Sequence, residues 1–217
     1  MAQPSKRAIV RAVLARYPES YAERLRIEVA KNTPAPLYQW LIVSLLFSAR
    51  IRADHAAGAA QALFKRGWRT PKKMSQSIWA ERVKELNRSG YARYDESTSR
   101  YIGETTEMML RRYGGDLRRL RAAAQHEPAR ERELLKQFKG IGEIGADIFF
   151  REVQIAWDEL YPFADRKALD AARKLGLGSE AAALARLSQR QTLPRLLTGL
   201  VRVELADEAD AVLRSAA

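Results

Sequence analysis

A single apolar residue between two glycines, Gly140-Ile141-Gly142, constrains the fold of this chain more than any other feature. Apolar residues at helical spacing precede it as far as Phe138, and others follow it from about Glu143. We expect both glycines to be needed, because a chain that reverses this tightly favours residues without a Cβ at its turning points. Such a turn leaves the first amide groups of the second helix without acceptors, and these groups attract phosphate. The sequence therefore predicts two helices joined by a phosphate-binding hairpin.

The hairpin is one of several motifs that follow each other in a recognisable order. It reads LLKQFKGIGEIGADI over residues 134–148, and the segment FADRKAL follows with Asp165 at its centre. Upstream lie LLFSAR at 45–50 and SGY at 89–91. Together these motifs resemble the helix-hairpin-helix and Gly/Pro-Asp superfamily of base-excision DNA glycosylases, to which endonuclease III belongs. The resemblance covers about residues 37–176.

The charge of the chain favours a polyanionic partner. Its 217 residues include 38 Lys and Arg against 26 Asp and Glu, a formal net charge of +12, and its pI is about 10.2. Such an excess is typical of proteins that bind nucleic acid, and double-stranded DNA is the leading candidate. A basic protein from a GC-rich coding sequence would show a similar excess, since Arg and Ala are abundant throughout. Charge alone does not separate these two explanations.

The residue types present exclude several kinds of site. The sequence contains no cysteine, which excludes disulfides, cysteine nucleophiles and the four-cysteine iron–sulfur cluster found in the family. Neither His55 nor His126 lies in a cluster of metal-ligating residues, so we expect no metal and no cofactor. Residues 1–11 lack the apolar run of a signal peptide, and the run 41–47 is too short to span a bilayer. We expect a cytoplasmic protein that acts on DNA and does not enter a membrane.

Helical periodicity extends along nearly the whole chain, and no segment alternates between polar and apolar residues for long. We therefore predict an all-α fold. Residues 37–49 are apolar on almost all sides, which predicts a central buried helix. The resemblance implies two helical domains, one over residues 36–150 that includes the hairpin and one formed by 1–35 plus 151–217. It also implies a cleft between them that holds a flipped base.

Asp165 is the residue that the resemblance assigns to catalysis. A carboxylate beside the sugar carbon of a flipped nucleotide can stabilise the developing oxocarbenium charge and orient or deprotonate the attacking water. The same residue stands directly before Arg166-Lys167-Ala168-Leu169, where an aspartate favours the N-cap of a helix. One carboxylate oxygen can serve as the cap while the other faces the cleft, so the two roles are compatible.

The hairpin departs from the family pattern at several positions. Ile144 stands where bifunctional members carry their lysine nucleophile, and an isoleucine cannot form a Schiff base. Lys139 replaces the usual Pro, and Gly145 replaces Thr or Ser. Glu143 brings a negative charge to the expected phosphate site, and Lys136 and Lys139 can offset it.

The resemblance also supplies a set of DNA contacts. Arg50 aligns with a glutamine that fills the gap left by the extruded base, and a guanidinium can stack on bases and donate to them. An ordinary surface arginine after a buried helix explains this residue equally well. The predicted DNA-binding residues are Arg50, Lys139, Gly140, Ile141, Gly142 and Gly145.

Two functions remain open at this stage. The first is a monofunctional DNA glycosylase that flips a damaged or mispaired base and hydrolyses its N-glycosidic bond with water activated by Asp165. The second is a non-catalytic DNA-binding protein that keeps the fold and the hairpin. The aspartate favours the first, and Glu143, Ile144 and Gly145 leave room for the second.

Overall fold

The computed structural model describes residues 4–217, and all regular secondary structure in that range is helical. This confirms the prediction of an all-α fold. The α-helices are α1 Lys6–Arg16, α2 Tyr21–Arg24, α3 Pro34–Phe47, α4 Ala53–Lys65, α5 Pro71–Ser75, α6 Trp79–Arg88, α7 Asp95–Tyr113, α8 Leu117–Ala123, α9 Pro128–Lys136, α10 Glu143–Val153, α11 Arg166–Lys174, α12 Ala181–Ala185, α13 Leu193–Ala206 and α14 Ala209–Ala216. Short 3₁₀ turns lie at Val29–Lys31, Asp158–Leu160 and Arg190–Thr192.

The helices group into two compact units. One unit is Leu25–Phe149, and the other runs from the first described residue to Arg24 and continues over Phe150–Ala217. The boundary between the units falls inside α10. The domain ranges implied by the resemblance remain a prediction, and the units differ from them mainly by grouping residues 25–35 with the hairpin.

The unit Leu25–Phe149 is built around α3. Every residue of α3 from Leu37 to Leu46 is buried, which confirms the central helix predicted from the sequence, although the helix ends at Phe47 rather than Ala49. A helix that is apolar all round needs packing partners on every side. The indole Nε1 of Trp40 donates to the carbonyl oxygen of Phe149 at 3.2 Å, and this bond joins α3 to α10.

The second unit has a core of its own, formed by α1, α11, α13 and α14. Its C-terminal part packs through aliphatic side chains. The main buried contributors from α13 are Leu193, Leu196, Leu197, Leu200, Val201 and Val203. At the edge of this core, the carboxylate of Glu208 accepts hydrogen bonds from Arg16 and Tyr17, which joins the start of α14 to the end of α1.

Within residues 4–217, no helix has both the length and the apolar character needed to cross a membrane.

Candidate functional site

The hairpin turns at Gly140. Its φ angle is +88°, in the left-handed region that favours glycine, and a Cβ here would lie 3.1 Å from Leu45 Cγ and 3.2 Å from Tyr101 Cδ2. The Ile141 amide donates to the carbonyl oxygen of Phe138 at 3.0 Å and closes the turn. Both the backbone angle and the packing therefore require glycine at this position.

Gly142 differs from Gly140, and the expectation that both glycines are needed for the turn is wrong. The φ angle of Gly142 is not positive, and a Cβ at Gly142 would meet no atom within 4 Å. The first helical hydrogen bond of α10 runs from the Ala146 amide to the Gly142 carbonyl, so the amides of residues 142–145 have no acceptor within the helix. The fold would accept a side chain at Gly142. Glycine here leaves the start of α10 open to an incoming group, as a phosphate site requires.

Acidic side chains lie near the open amides at the start of α10. Glu143 is the first residue of α10, and its carboxylate lies 2.5 Å from Lys136 Nζ and 3.0 Å from Arg132 Nη1. The hydrogen bond from Lys136, with that from Arg132, lowers the pKa of Glu143 below its usual value. Arg132 Nη2 also lies 2.7 Å from Asp147 Oδ1. Arg132 and Lys136 of α9 thus already have anionic partners within the protein, while Lys139 is exposed on the turn.

The next two residues of α10 have opposite environments. The side chain of Ile144 is 58% exposed, so the position that the sequence resemblance assigns to a nucleophile presents an apolar surface. Gly145 is buried, and a Cβ there would lie 2.6 Å from Ser48 Oγ and 3.3 Å from the Ile141 side chain. Glycine at 145 therefore allows α10 to approach the end of α3. The structure thus gives Gly145 a packing role, and a DNA contact by Gly145 stays a prediction.

A pocket of about 460 Å³ opens next to the hairpin. One side comes from the end of α3 and the following residues, with Leu45, Ser48, Ala49 and Arg50, and Gly140 contributes the hairpin edge. The remaining side is formed by Tyr91 and by residues of the α7 region: Tyr94, Ser97, Thr98 and Tyr101. The structure thus brings two of the predicted DNA-binding residues, Arg50 and Gly140, to one pocket.

Asp165 lies in the unit that contains residues 150–217, whereas the hairpin and Arg50 lie in the unit Leu25–Phe149. Its carboxylate is 5% exposed. Oδ1 accepts from the backbone amides of Lys167 at 3.1 Å and Ala168 at 3.3 Å, which confirms the predicted N-cap of α11. Oδ2 accepts from Arg151 Nε at 2.8 Å. The second oxygen, expected to face a cleft, therefore forms a buried ion pair.

Sequence reasoning did not identify Arg151 and Gln154, the two residues that place Asp165. Arg151 is 5% exposed, and its charge is balanced by Asp165. The Gln154 side chain donates to the Phe163 carbonyl at 3.1 Å and accepts from the Phe163 amide at 3.0 Å, which fixes the chain two residues before Asp165. Two charged residues and an amide, Arg151, Glu152 and Gln154, inside the otherwise apolar segment 148–157 were the available signal, because such residues are buried only with partners.

No grouping of three or more His, Asp or Glu side chains that could bind a metal ion occurs in the part of the chain that the structure describes.

Comparison with known proteins gives a structural likeness only. No protein-family model matches the chain, and no curated protein sequence matches it. A solved structure of a non-covalent endonuclease III–DNA complex is similar, with a TM-score of 0.54 and 15% sequence identity over 89% of this chain and 81% of that one. A trapped endonuclease III–DNA covalent intermediate, an estranged-adenine complex, gives a TM-score of 0.48 and 16% identity over 75% of this chain and 71% of that one. The first of these likenesses shows that this chain has the helical fold of endonuclease III.

Proposed function

We propose that this protein is a monofunctional DNA glycosylase, which binds duplex DNA in the cytoplasm, extrudes a damaged or mispaired base and hydrolyses its N-glycosidic bond with a water molecule oriented by Asp165. The observation that carries the proposal is the coordination of the Asp165 carboxylate. Two amides donate to Oδ1 and one guanidinium nitrogen donates to Oδ2. A carboxylate has about four acceptor positions, so one on Oδ2 is left for a water molecule.

The chemistry explains why a fixed carboxylate is useful. A base must leave the helical stack before an enzyme can reach its glycosidic bond, and the transition state then carries positive charge on the sugar. A carboxylate whose direction is set beforehand needs no reorganisation when that charge develops. The direction of the Asp165 carboxylate is fixed by its N-cap bond and by its ion pair with Arg151. The two hydrogen bonds between Gln154 and Phe163 hold the preceding chain in place.

DNA contact is assigned to the hairpin and its surroundings. The amides at the start of α10 and the exposed Lys139 would bind phosphate, and Arg50 would enter the gap that the extruded base leaves. Gly140, Ile141, Gly142 and Gly145 contribute through the backbone that they shape. The fold shared with an endonuclease III structure solved on DNA supports this assignment.

Water rather than lysine is the proposed nucleophile. Ile144 occupies the nucleophile's position with an exposed hydrocarbon side chain, which cannot attack the sugar carbon. Lys139 lies before the two glycines and Lys167 follows Asp165, so neither matches that position in sequence. The expected product is an intact strand that contains an abasic site.

The Arg151–Asp165 pair also favours a second candidate, a non-catalytic DNA-binding protein of the same fold. A guanidinium 2.8 Å from the carboxylate cancels much of its negative charge, and it would sit close to the positive charge that develops on the sugar. If this cancellation of charge outweighs the stabilisation of the transition state, Asp165 has a structural role only.

A panel of duplexes with single base lesions separates the two candidates. We expect excision of at least one lesion by the wild type, strand cleavage only after alkali, and no covalent complex trapped by borohydride. Ile144→Lys serves as the positive control, because it places an amine where the family has one. Strong trapping by the wild type that is lost in Lys139→Ala or Lys167→Ala would overturn the monofunctional assignment. Tight binding of duplex DNA without excision of any lesion would support the second candidate, a non-catalytic DNA-binding protein.

A further inference from the structure

The pocket beside the hairpin has the size and lining of a site for one flat ring. Its volume of about 460 Å³ lies within the roughly 300–1,000 Å³ range of small-ligand pockets. Three tyrosines line it, and Tyr94 and Tyr101 are half-buried, so part of each side chain is accessible. Aromatic side chains of this kind stack on any nucleobase, because every base presents a π-face.

The hydroxyl groups of the lining suit the edge of an uncharged base. Ser48, Ser97 and Thr98 each contribute a hydroxyl. Those of Ser48 and Ser97 donate to the carbonyl oxygens of Ser44 at 2.6 Å and Tyr94 at 3.1 Å, so their oxygens are left to accept from a base. The Tyr91 hydroxyl likewise donates to the carbonyl oxygen of Leu46 at 2.8 Å and helps to fix the pocket wall. The site therefore combines aromatic rings with neutral polar groups.

Positive charges lie near the tyrosine rings. Lys139 Nζ lies 5.7 Å from the centroid of the Tyr101 ring, and the guanidinium carbon of Arg93 lies 5.4 Å from the centroid of the Tyr94 ring. Arg50 lines the pocket itself. Two of the tyrosine rings thus already have a cation of the protein within the distance of a cation–π interaction.

No carboxylate belongs to the described residues that line the pocket. The nearest acidic residues along the chain are Asp95 and Glu96, in the first turn of α7. Asp95 is buried and accepts from Asn87 Nδ2 at 2.9 Å and from the Glu96 amide at 2.7 Å, so neutral donors satisfy its carboxylate. Glu96 is exposed and does not line the pocket. The local balance of charge is therefore positive.

We propose that this pocket receives an uncharged nucleobase and discriminates against a positively charged one, such as an N7-alkylated purine. Two effects oppose each other here. Tyrosine faces attract a cationic base, whereas Arg50, Arg93 and Lys139 repel it and compete for the same ring faces. With three cations and no lining carboxylate, repulsion prevails. The inference deepens the proposed function, on which it rests, by naming the class of base that the protein accepts.

A binding experiment with two bases of nearly equal shape tests the charge alone. Duplexes would carry either 7-methylguanine, which is cationic, or 7-methyl-7-deazaguanine, which is neutral, opposite a stable abasic analogue that leaves the base unpaired. A 2′-fluoro sugar in both prevents loss of the base during the measurement. For the wild type, fluorescence anisotropy should show about three- to tenfold tighter binding of the neutral base, as expected for a few exposed charges.

Matched variants assign the preference to the pocket. Arg93→Gln combined with Lys139→Gln should abolish or reverse it, because the tyrosine faces are then free to attract a cation. Lys72→Gln combined with Arg111→Gln removes the same charge from exposed positions outside the pocket and should keep the preference. Equal affinities in the wild type, or an unchanged preference in the pocket variant, would overturn the inference. If the preference is present but no lesion is excised, the proposed activity fails and the charge selection stands.

Discussion

The hairpin and the Asp165 region both use ion pairs made by residues of α10, but in very different surroundings. At the hairpin, Glu143 is 61% exposed and contacts Lys136 and Arg132. At the other end of the helix, Arg151 and Asp165 are 6% and 5% exposed. Exposed pairs contribute little to stability and can exchange partners, whereas breaking a buried pair costs about 3–5 kcal/mol. The first arrangement suits a surface that binds phosphate, and the second fixes a group in one direction.

Two buried carboxylates of the second unit, Asp165 and Glu152, extend this comparison. Asp165 has a guanidinium partner, but the buried Glu152 receives hydrogen bonds chiefly from neutral groups, the Ser20 side chain, the Ala22 amide and, at 3.5 Å, Thr198. Loss of hydration raises the pKa of Glu152 to about 7, and the opposing effects of Ser20, Arg151 and Ala22 are smaller. Burial among mainly neutral hydrogen-bond donors therefore favours the protonated form of Glu152.

The largest effect is expected from Asp165→Asn. Asparagine keeps the N-cap, so sequence alone suggests that folding is preserved. In the structure, however, the variant leaves the buried Arg151 charge without a counter-ion, and we expect the free energy of unfolding to fall by about 3–5 kcal/mol. Urea denaturation measures this directly.

A double variant separates the contribution of the Arg151–Asp165 ion pair to stability from that of the N-cap of α11. Replacing both partners, Arg151→Met with Asp165→Asn, should recover most of the lost stability, because no unpaired charge then remains buried. If Asp165→Asn unfolds at the wild-type urea midpoint, the pair contributes nothing to stability, and any loss of excision in that variant can be attributed to chemistry alone.

The intermediate effect is a pH dependence that comes from Glu152. A carboxyl group whose pKa is higher in the folded state, about 7 against 4.5, binds its proton more tightly when folded. Stability should therefore fall as pH rises from about 4.5 to 7 and change little above that, by roughly 3 kcal/mol in all. Glu152→Gln stays neutral and should be more stable than the wild type at pH 8 but similar at pH 4.5. Parallel curves of stability against pH for the two proteins would contradict this assignment.

The sequence predicted what depends on local pattern. The unbroken apolar run of α3 can only be buried, and Gly140 marks a turn that other residues would strain. The N-cap role of Asp165 follows from its place before a helix. Contacts between segments distant along the chain were not predictable in this way. Gly145 is a packing residue because Ser48 lies opposite it, and the spacing of residues along the sequence does not show that the two are neighbours.

The pocket illustrates the same limit. Tyr94, Ser97, Thr98 and Tyr101 follow the i, i+3, i+4, i+7 pattern of one helical face, which is visible in the sequence. Such a face usually packs into a core. Only the tertiary structure shows that the end of α3 and Gly140 leave space in front of it.

The smallest effect is expected at the hairpin, from Glu143→Gln. The change removes a negative charge from the start of α10 and releases Lys136 and Arg132 from their contacts with it. Lys136 then keeps Glu133 and Arg132 keeps Asp147 as an anionic partner. In each, the donor that contacted Glu143 becomes available to phosphate, so affinity for duplex DNA should rise about threefold, as expected for exposed ion pairs. Wild-type binding should weaken with salt, and in the variant the slope of log affinity against log salt should steepen by about 0.9 for each additional phosphate contact.

Glu107→Gln, exposed on α7 outside the hairpin, makes the same change in net charge and should leave the slope unaltered. A steeper slope in both variants would mean that net charge alone controls binding, and a slope unchanged in both would remove the hairpin from the DNA interface.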